Sequence, residues 1–133
     1  MSKQQSIQDM ERLIEDVHKN AVAHGWWDKP PSFPEILALC HSELSEALEE
    51  YRNGNPPLYG PCAGGSKSCE HYYNCDRHEP EGCKPEGAAV ELADCILRIF
   101  DYCAYAQIDI MGILQAKHEY NKHRPYKHGG KTI

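Results

Sequence analysis

The strongest constraint in this sequence is a pair of short acidic motifs in helix-like stretches, Glu43-Leu44-Ser45-Glu46 and Glu91-Leu92-Ala93-Asp94. Residues three apart on a helix lie about 60° apart around its axis, so each motif puts two carboxylates on one face. Two such helices side by side bring four carboxylates together, and these repel one another unless a cation neutralises them. A donor set made only of oxygens suits Mg²⁺ or Mn²⁺. A lone E-x-x-E is most often solvated helix surface. Two features weigh against that here. Glu91, Asp94, Arg98 and Asp101 share a narrow polar stripe on an otherwise apolar helix, and Glu43, Glu46 and Glu50 follow i, i+3, i+7 beside an apolar seam.

The apolar spacing predicts four helices and no useful strand alternation. The first runs from Ile7 to about Ala23, with Ile7, Met10, Ile14, Val17 and Ala21 inward, and ends at Gly25. Ser32 opens the second; with Glu35 it reads as a capping box, and Pro34 is tolerated in the first turn. Its expected inner stripe is Ile36, Cys40, Leu44, Ala47, Leu48 and Tyr51, and the run Asn53 to Pro57 stops it. The third spans about Ala88 to Ala106, with Leu92, Cys95, Ile96, Ile99 and Cys103 inward. Asp109 caps the fourth, which continues to about Asn121. The expected architecture is all-α: a four-helix-type bundle, one domain over residues 1–133, with a long irregular Cys-rich insertion at about 53–87.

The chain has 133 residues and a net charge of −6, which argues against a broad basic footprint for a nucleic acid polymer. No apolar run reaches membrane-spanning length and the N-terminal stretch has no apolar signal region, so the expectation is a cytoplasmic protein with no membrane partner. Seven cysteines are many for such a chain. Cys40, Cys95 and Cys103 fall in apolar helical stretches and are expected to pack as small hydrophobes. Cys62, Cys69, Cys75 and Cys83 fall in the insertion, with His71 and His78 among them. They suffice for one structural Zn²⁺, which would give the loop folding free energy, but no C-x-x-C knuckle is present. Two disulfides, free thiols and, with less support, an iron–sulfur cluster remain alternatives.

The fourth helix adds complementary chemistry. Lys117 and Asn121 share a face, and Arg124 and Lys127 follow. Cations and an amide near a carboxylate-held metal are what a polyphosphate requires; the competing reading is dipole complementation at a helix C-terminus. The two acidic motifs, Lys117-His118-Glu119-Tyr120-Asn121 and the run from Arg124 to Lys131 together resemble the MazG-like all-α nucleoside triphosphate pyrophosphohydrolases. The stretch from Lys84 to Val90 is similar to that family as well. The likeness covers nearly the whole chain outside the insertion, whose length departs from the family pattern. It implies Mg²⁺-dependent hydrolysis of a nucleoside triphosphate to the monophosphate and pyrophosphate by helical dimers or tetramers. By motif match, Glu43, Glu46, Glu91 and Asp94 are the expected Mg²⁺ ligands, and Lys117 and Asn121 bind the triphosphate. Glu46 is the first choice for the carboxylate that orients or deprotonates the attacking water.

Trp26 and Trp27 lie in a proline-flanked turn before the second helix and are candidates for stacking on a nucleobase, against pinning of the turn; His24 and Tyr102 are weaker candidates. The amphipathic helices show too many apolar sides for one chain, which points to a homodimer or homotetramer. Two other functions compete: a zinc-stabilised interaction module without catalysis, and a phosphoribosyl-ATP pyrophosphohydrolase.

Overall fold

The computed structural model describes residues 2–60 and 84–126. Four α-helices carry the described residues: α1 (Lys3–Ala23), α2 (Phe33–Arg52), α3 (Ala88–Tyr105) and α4 (Ile110–Lys122). The all-α expectation holds, and among the described residues the only β-type pairing is an isolated bridge between Tyr59 and Glu86. No described helix is long and apolar enough to cross a membrane.

Local chemistry explains the helix ends. The capping box is formed: the Ser32 backbone N–H donates to Glu35 Oε2 at 2.6 Å, and the Glu35 N–H donates back to Ser32 Oγ at 3.4 Å. Asp109 Oδ1 accepts the Gly112 N–H at 2.9 Å and starts α4. Helix α1 begins at Lys3, one turn before the expected Ile7. Ser2 Oγ accepts the Gln5 N–H at 3.2 Å, and Gln5 donates to Asp9 at 3.0 Å. That first turn is polar, so hydrophobic spacing does not register it.

The chain divides into two compact units. One comprises residues 1–24 and 100–133, the other residues 25–99. In the first, α1 lies against α4, and Ile14, Phe100 and Cys103 are buried. His18 Nδ1 and Asp101 Oδ1 pair at 2.7 Å.

In the second unit, Ile36, Glu43 and Ala47 are the buried residues of α2. The expected inner stripe holds at Ile36 and Ala47, with Cys40 half-buried, and is corrected at Leu44 and Leu48, which are exposed, and at Tyr51, which is 78% exposed. The buried positions are four and seven apart and share one side of the helix. That side includes an acidic residue because α3 supplies it with a cation, described below. Leu92, Ile96 and Ile99, also expected inward, are exposed, whereas Cys95 is buried as anticipated.

Between α2 and α3, the described ends of the insertion are tied together. Tyr59 N–H donates to the Glu86 carbonyl at 2.9 Å, and Glu86 N–H to the Tyr59 carbonyl at 2.8 Å. The Tyr59 hydroxyl and Asn55 Nδ2 both donate to Glu50, at 3.1 and 2.8 Å. The Ala89 N–H then donates to the Pro57 carbonyl at 2.9 Å, closing the chain onto the start of α3. Gly87 makes this closure feasible. Its φ is +115°, and a Cβ there would stand 2.5 Å from the Pro57 carbonyl oxygen.

Gly87→Ala is therefore expected to lower stability by about 1–3 kcal/mol, from left-handed strain and the backbone clash together. Chemical denaturation checks this; an unchanged midpoint would show that the closure is not formed.

Candidate metal centre

Three of the four expected carboxylates meet. One oxygen each from Glu43, Glu91 and Asp94 lies within 4.8 Å of the others. Helix α2 contributes the first, and the opening turns of α3 contribute the second and third. Spacing of three along α3 puts Glu91 and Asp94 on one side, and the tie between Pro57 and Ala89 fixes where that helix begins.

Glu43 is buried, with its side chain 7% exposed. Arg98 Nε donates to Glu43 Oε1 at 2.5 Å. Arg98 stands one turn beyond Asp94 on α3, and its charge pulls the Asp94 carboxyl down against the other influences there. Those other influences prevail: burial, together with the negative charges of Glu43 and Glu46, raises Asp94 above the usual carboxylate range, against Arg98 and Lys84. Glu91 is displaced further, up to about 7. Burial is the largest cause, followed by a hydrogen bond with Glu43 and repulsion from Glu46, Glu43 and Asp94.

Glu46 stands outside this group of three. It is exposed, and Ser42 Oγ donates to it at 3.4 Å. Glu43 is buried against Arg98, while Glu46, three residues on, is exposed. The field of Glu46 still reaches the site, since it raises both Glu91 and Asp94.

The donor set fits the hard divalent ion that the family resemblance implies. All three donors are carboxylate oxygens, they lie on two helices, and their mutual repulsion adds to burial in raising Glu91 to about 7. Soft ligands are absent from the group of three.

The other expected site residues are placed as follows. Trp26 is 70% exposed and Trp27 is half-buried, both in the 25–99 unit. In the other unit, Lys117 Nζ lies over the Tyr120 ring, 5.0 Å from its centroid, and Asn121 and Arg124 are exposed on and just after α4. Arg124 lines a shallow hollow of about 270 Å³ with Tyr120, His123 and Pro125. His24 Nδ1 is 2.8 Å from the Asn20 carbonyl at the end of α1, which accounts for it locally, and Tyr102 is half-buried. Lys127 and the cysteine set Cys62, Cys69, Cys75 and Cys83 lie outside the described residues, so the zinc expectation does too.

Arg98 is the residue that sequence reasoning placed on the acidic stripe without giving it a role. Its spacing, four after Asp94 and seven after Glu91, was the available signal. The pair His18–Asp101 joins residues 83 apart, and no local pattern announces it.

Compared with protein-family models, with curated proteins and with solved structures, the chain gives no match.

The raised Glu91 carboxyl gives a signed pH dependence. Its folded value near 7 exceeds the ordinary value of 4.5, so the folded chain holds an extra proton between these limits. The contribution of Glu91 to stability is present at the acid end of that window and is lost as pH rises through about 7. A divalent ion bound by the group would have to displace that proton, so Mn²⁺ affinity is expected to rise with pH up to about 7 and level off above it. Calorimetry in two buffers of different ionisation enthalpy should show proton release at pH 6 and little at pH 8.

Proposed function

We propose that this chain is a divalent-cation-dependent nucleoside triphosphate pyrophosphohydrolase of the MazG-like all-α kind, releasing the monophosphate and pyrophosphate. The observation that carries the reading is the convergence of Glu43, Glu91 and Asp94 from two helices into one oxygen-lined group. The motif resemblance supplies the reaction, and the all-helical architecture is compatible with it.

In this reading Glu43, Glu91 and Asp94 hold Mg²⁺ or Mn²⁺. When bound, the ion supplies charge neutralisation to phosphate oxygens and lowers the pKa of water. Glu46, open to solvent and outside the group of three, orients the attacking water and accepts its proton. The motif resemblance assigns triphosphate binding to Lys117 and Asn121, with Arg124 and Lys127 as further cations in the same stretch of sequence. Tyr120 already engages the Lys117 ammonium through its ring face, which restricts where that charge points. Trp26, the more open of the two tryptophans, offers a face for base stacking. The protein's work is positioning and charge stabilisation, as in other phosphoryl chemistry.

The assembly is a homodimer or homotetramer. Leu44, Leu48 and Tyr51 on α2 are all exposed, an apolar row that a second copy would cover.

Two experiments test these readings. Pyrophosphate release from a panel of NTPs and dNTPs should require Mg²⁺, and Glu91→Gln and Asp94→Asn should each reduce turnover by about 100-fold or more with helicity retained. Undiminished turnover in both variants would refute the assignment. Separately, the double substitution Leu44→Glu and Leu48→Glu should lower the mass seen by light scattering to that of one chain; a parent protein already monomeric would remove the oligomer from the proposal.

A further inference from the structure

We propose that Arg98 is a positioning residue for the cation site: a resident positive charge that fixes Glu43 while the carboxylates are without an ion and competes with the ion for their negative charge. This rests on the divalent-cation reading above.

The geometry has three parts. Glu43 is the most deeply placed carboxylate of the group, with its side chain 7% exposed, and a buried carboxylate without a partner is strongly disfavoured. The Arg98 guanidinium meets that need with an Nε–Oε1 hydrogen bond of 2.5 Å, and it is the only basic group within salt-bridge distance of Glu43 among the described residues. The same guanidinium acts on Asp94, so its charge is shared across two of the three proposed ligands.

Arg98 Nε takes Oε1 of Glu43, and a carboxylate keeps further lone pairs with which to meet a cation. Arg98 therefore has two effects on a dication. It orients Glu43, which favours binding, and it repels a second positive charge drawn to the same carboxylates, which opposes binding. Arg98 orients one ligand of the three, so orientation is the smaller contribution. Repulsion acts on the whole charge of the ion and is the larger one. Arg98 is itself 36% exposed at the side chain, which leaves it room to turn toward water as an ion enters.

The ion used to test this is Mn²⁺ alone, with binding read by calorimetry and by loss of the free-ion paramagnetic resonance signal at pH 8. Arg98→Gln should bind Mn²⁺ at least about fivefold more tightly than the parent chain. It should melt at a lower temperature without metal and regain more on Mn²⁺ addition than the parent does. Arg98→Lys keeps the charge and should restore near-parental Mn²⁺ affinity. A residue with a purely structural role would lower the melting temperature without raising the affinity.

Equal or weaker Mn²⁺ binding by Arg98→Gln, with parental binding intact, would overturn this proposal alone. No Mn²⁺ binding by the parent would overturn the cation reading and this proposal with it. Should Arg98→Gln fail to fold without metal, a double-mutant cycle with Glu43→Gln decides. The double variant should recover most of the lost melting temperature, and additive losses would count against the pairing.

Discussion

The buried carboxylate of Glu43 is the constraint on which the 25–99 unit turns. An ionised side chain taken out of water must be paired, and Arg98 is the partner. The pairing lets an acidic residue occupy the inward side of α2. Of the expected stripe, Ile36 and Ala47 are buried; Glu43 joins them on that side, and Leu44, Leu48 and Tyr51 lie outside. Displacing those apolar residues to the outside leaves them for another surface. Thus one ion pair links the orientation of a helix, the placement of a proposed ligand and the exposed row on which the assembly reading rests.

The same pair sets the electrostatics of the group. Glu43 has a cation beside it, whereas Glu91 has Glu43, Glu46 and Asp94 around it and no cation with a comparable effect. Burial first, and this imbalance after it, raise Glu91 to about 7. Two carboxylates on one short helical segment thereby acquire different characters: Asp94 feels Arg98 and Lys84, and Glu91 mainly feels repulsion and burial. A small cation of high charge bound there would relieve all of these repulsions at once.

Much of the helical framework was legible in the sequence, because it depends on signals a few residues apart. The Ser32–Glu35 capping box and the Asp109 cap are each written within four residues, and both form. The α1 stripe of Met10, Ile14 and Val17 follows the helical period, and these residues are buried or half-buried. The closure of the insertion was not legible. It depends on Tyr59 meeting Glu86 and on Gly87 lying close to the Pro57 carbonyl, contacts between residues 27 and 30 positions apart. Only the irregular character of that connection could be read from its glycine and proline content.

By itself, then, the sequence determined that the chain is helical, where its helices are capped, and that carboxylates recur at a spacing of three on α2 and α3. Periodicity and capping are local, so they survive without any knowledge of the partners across the fold. The tertiary structure alone decided that Glu43, Glu91 and Asp94 form the group while Glu46 stays outside it, and that Arg98 belongs beside Glu43. The reason is that a helix offers several faces, and the one turned inward is chosen by the charge and shape of what it meets, here a guanidinium 55 residues away along the chain.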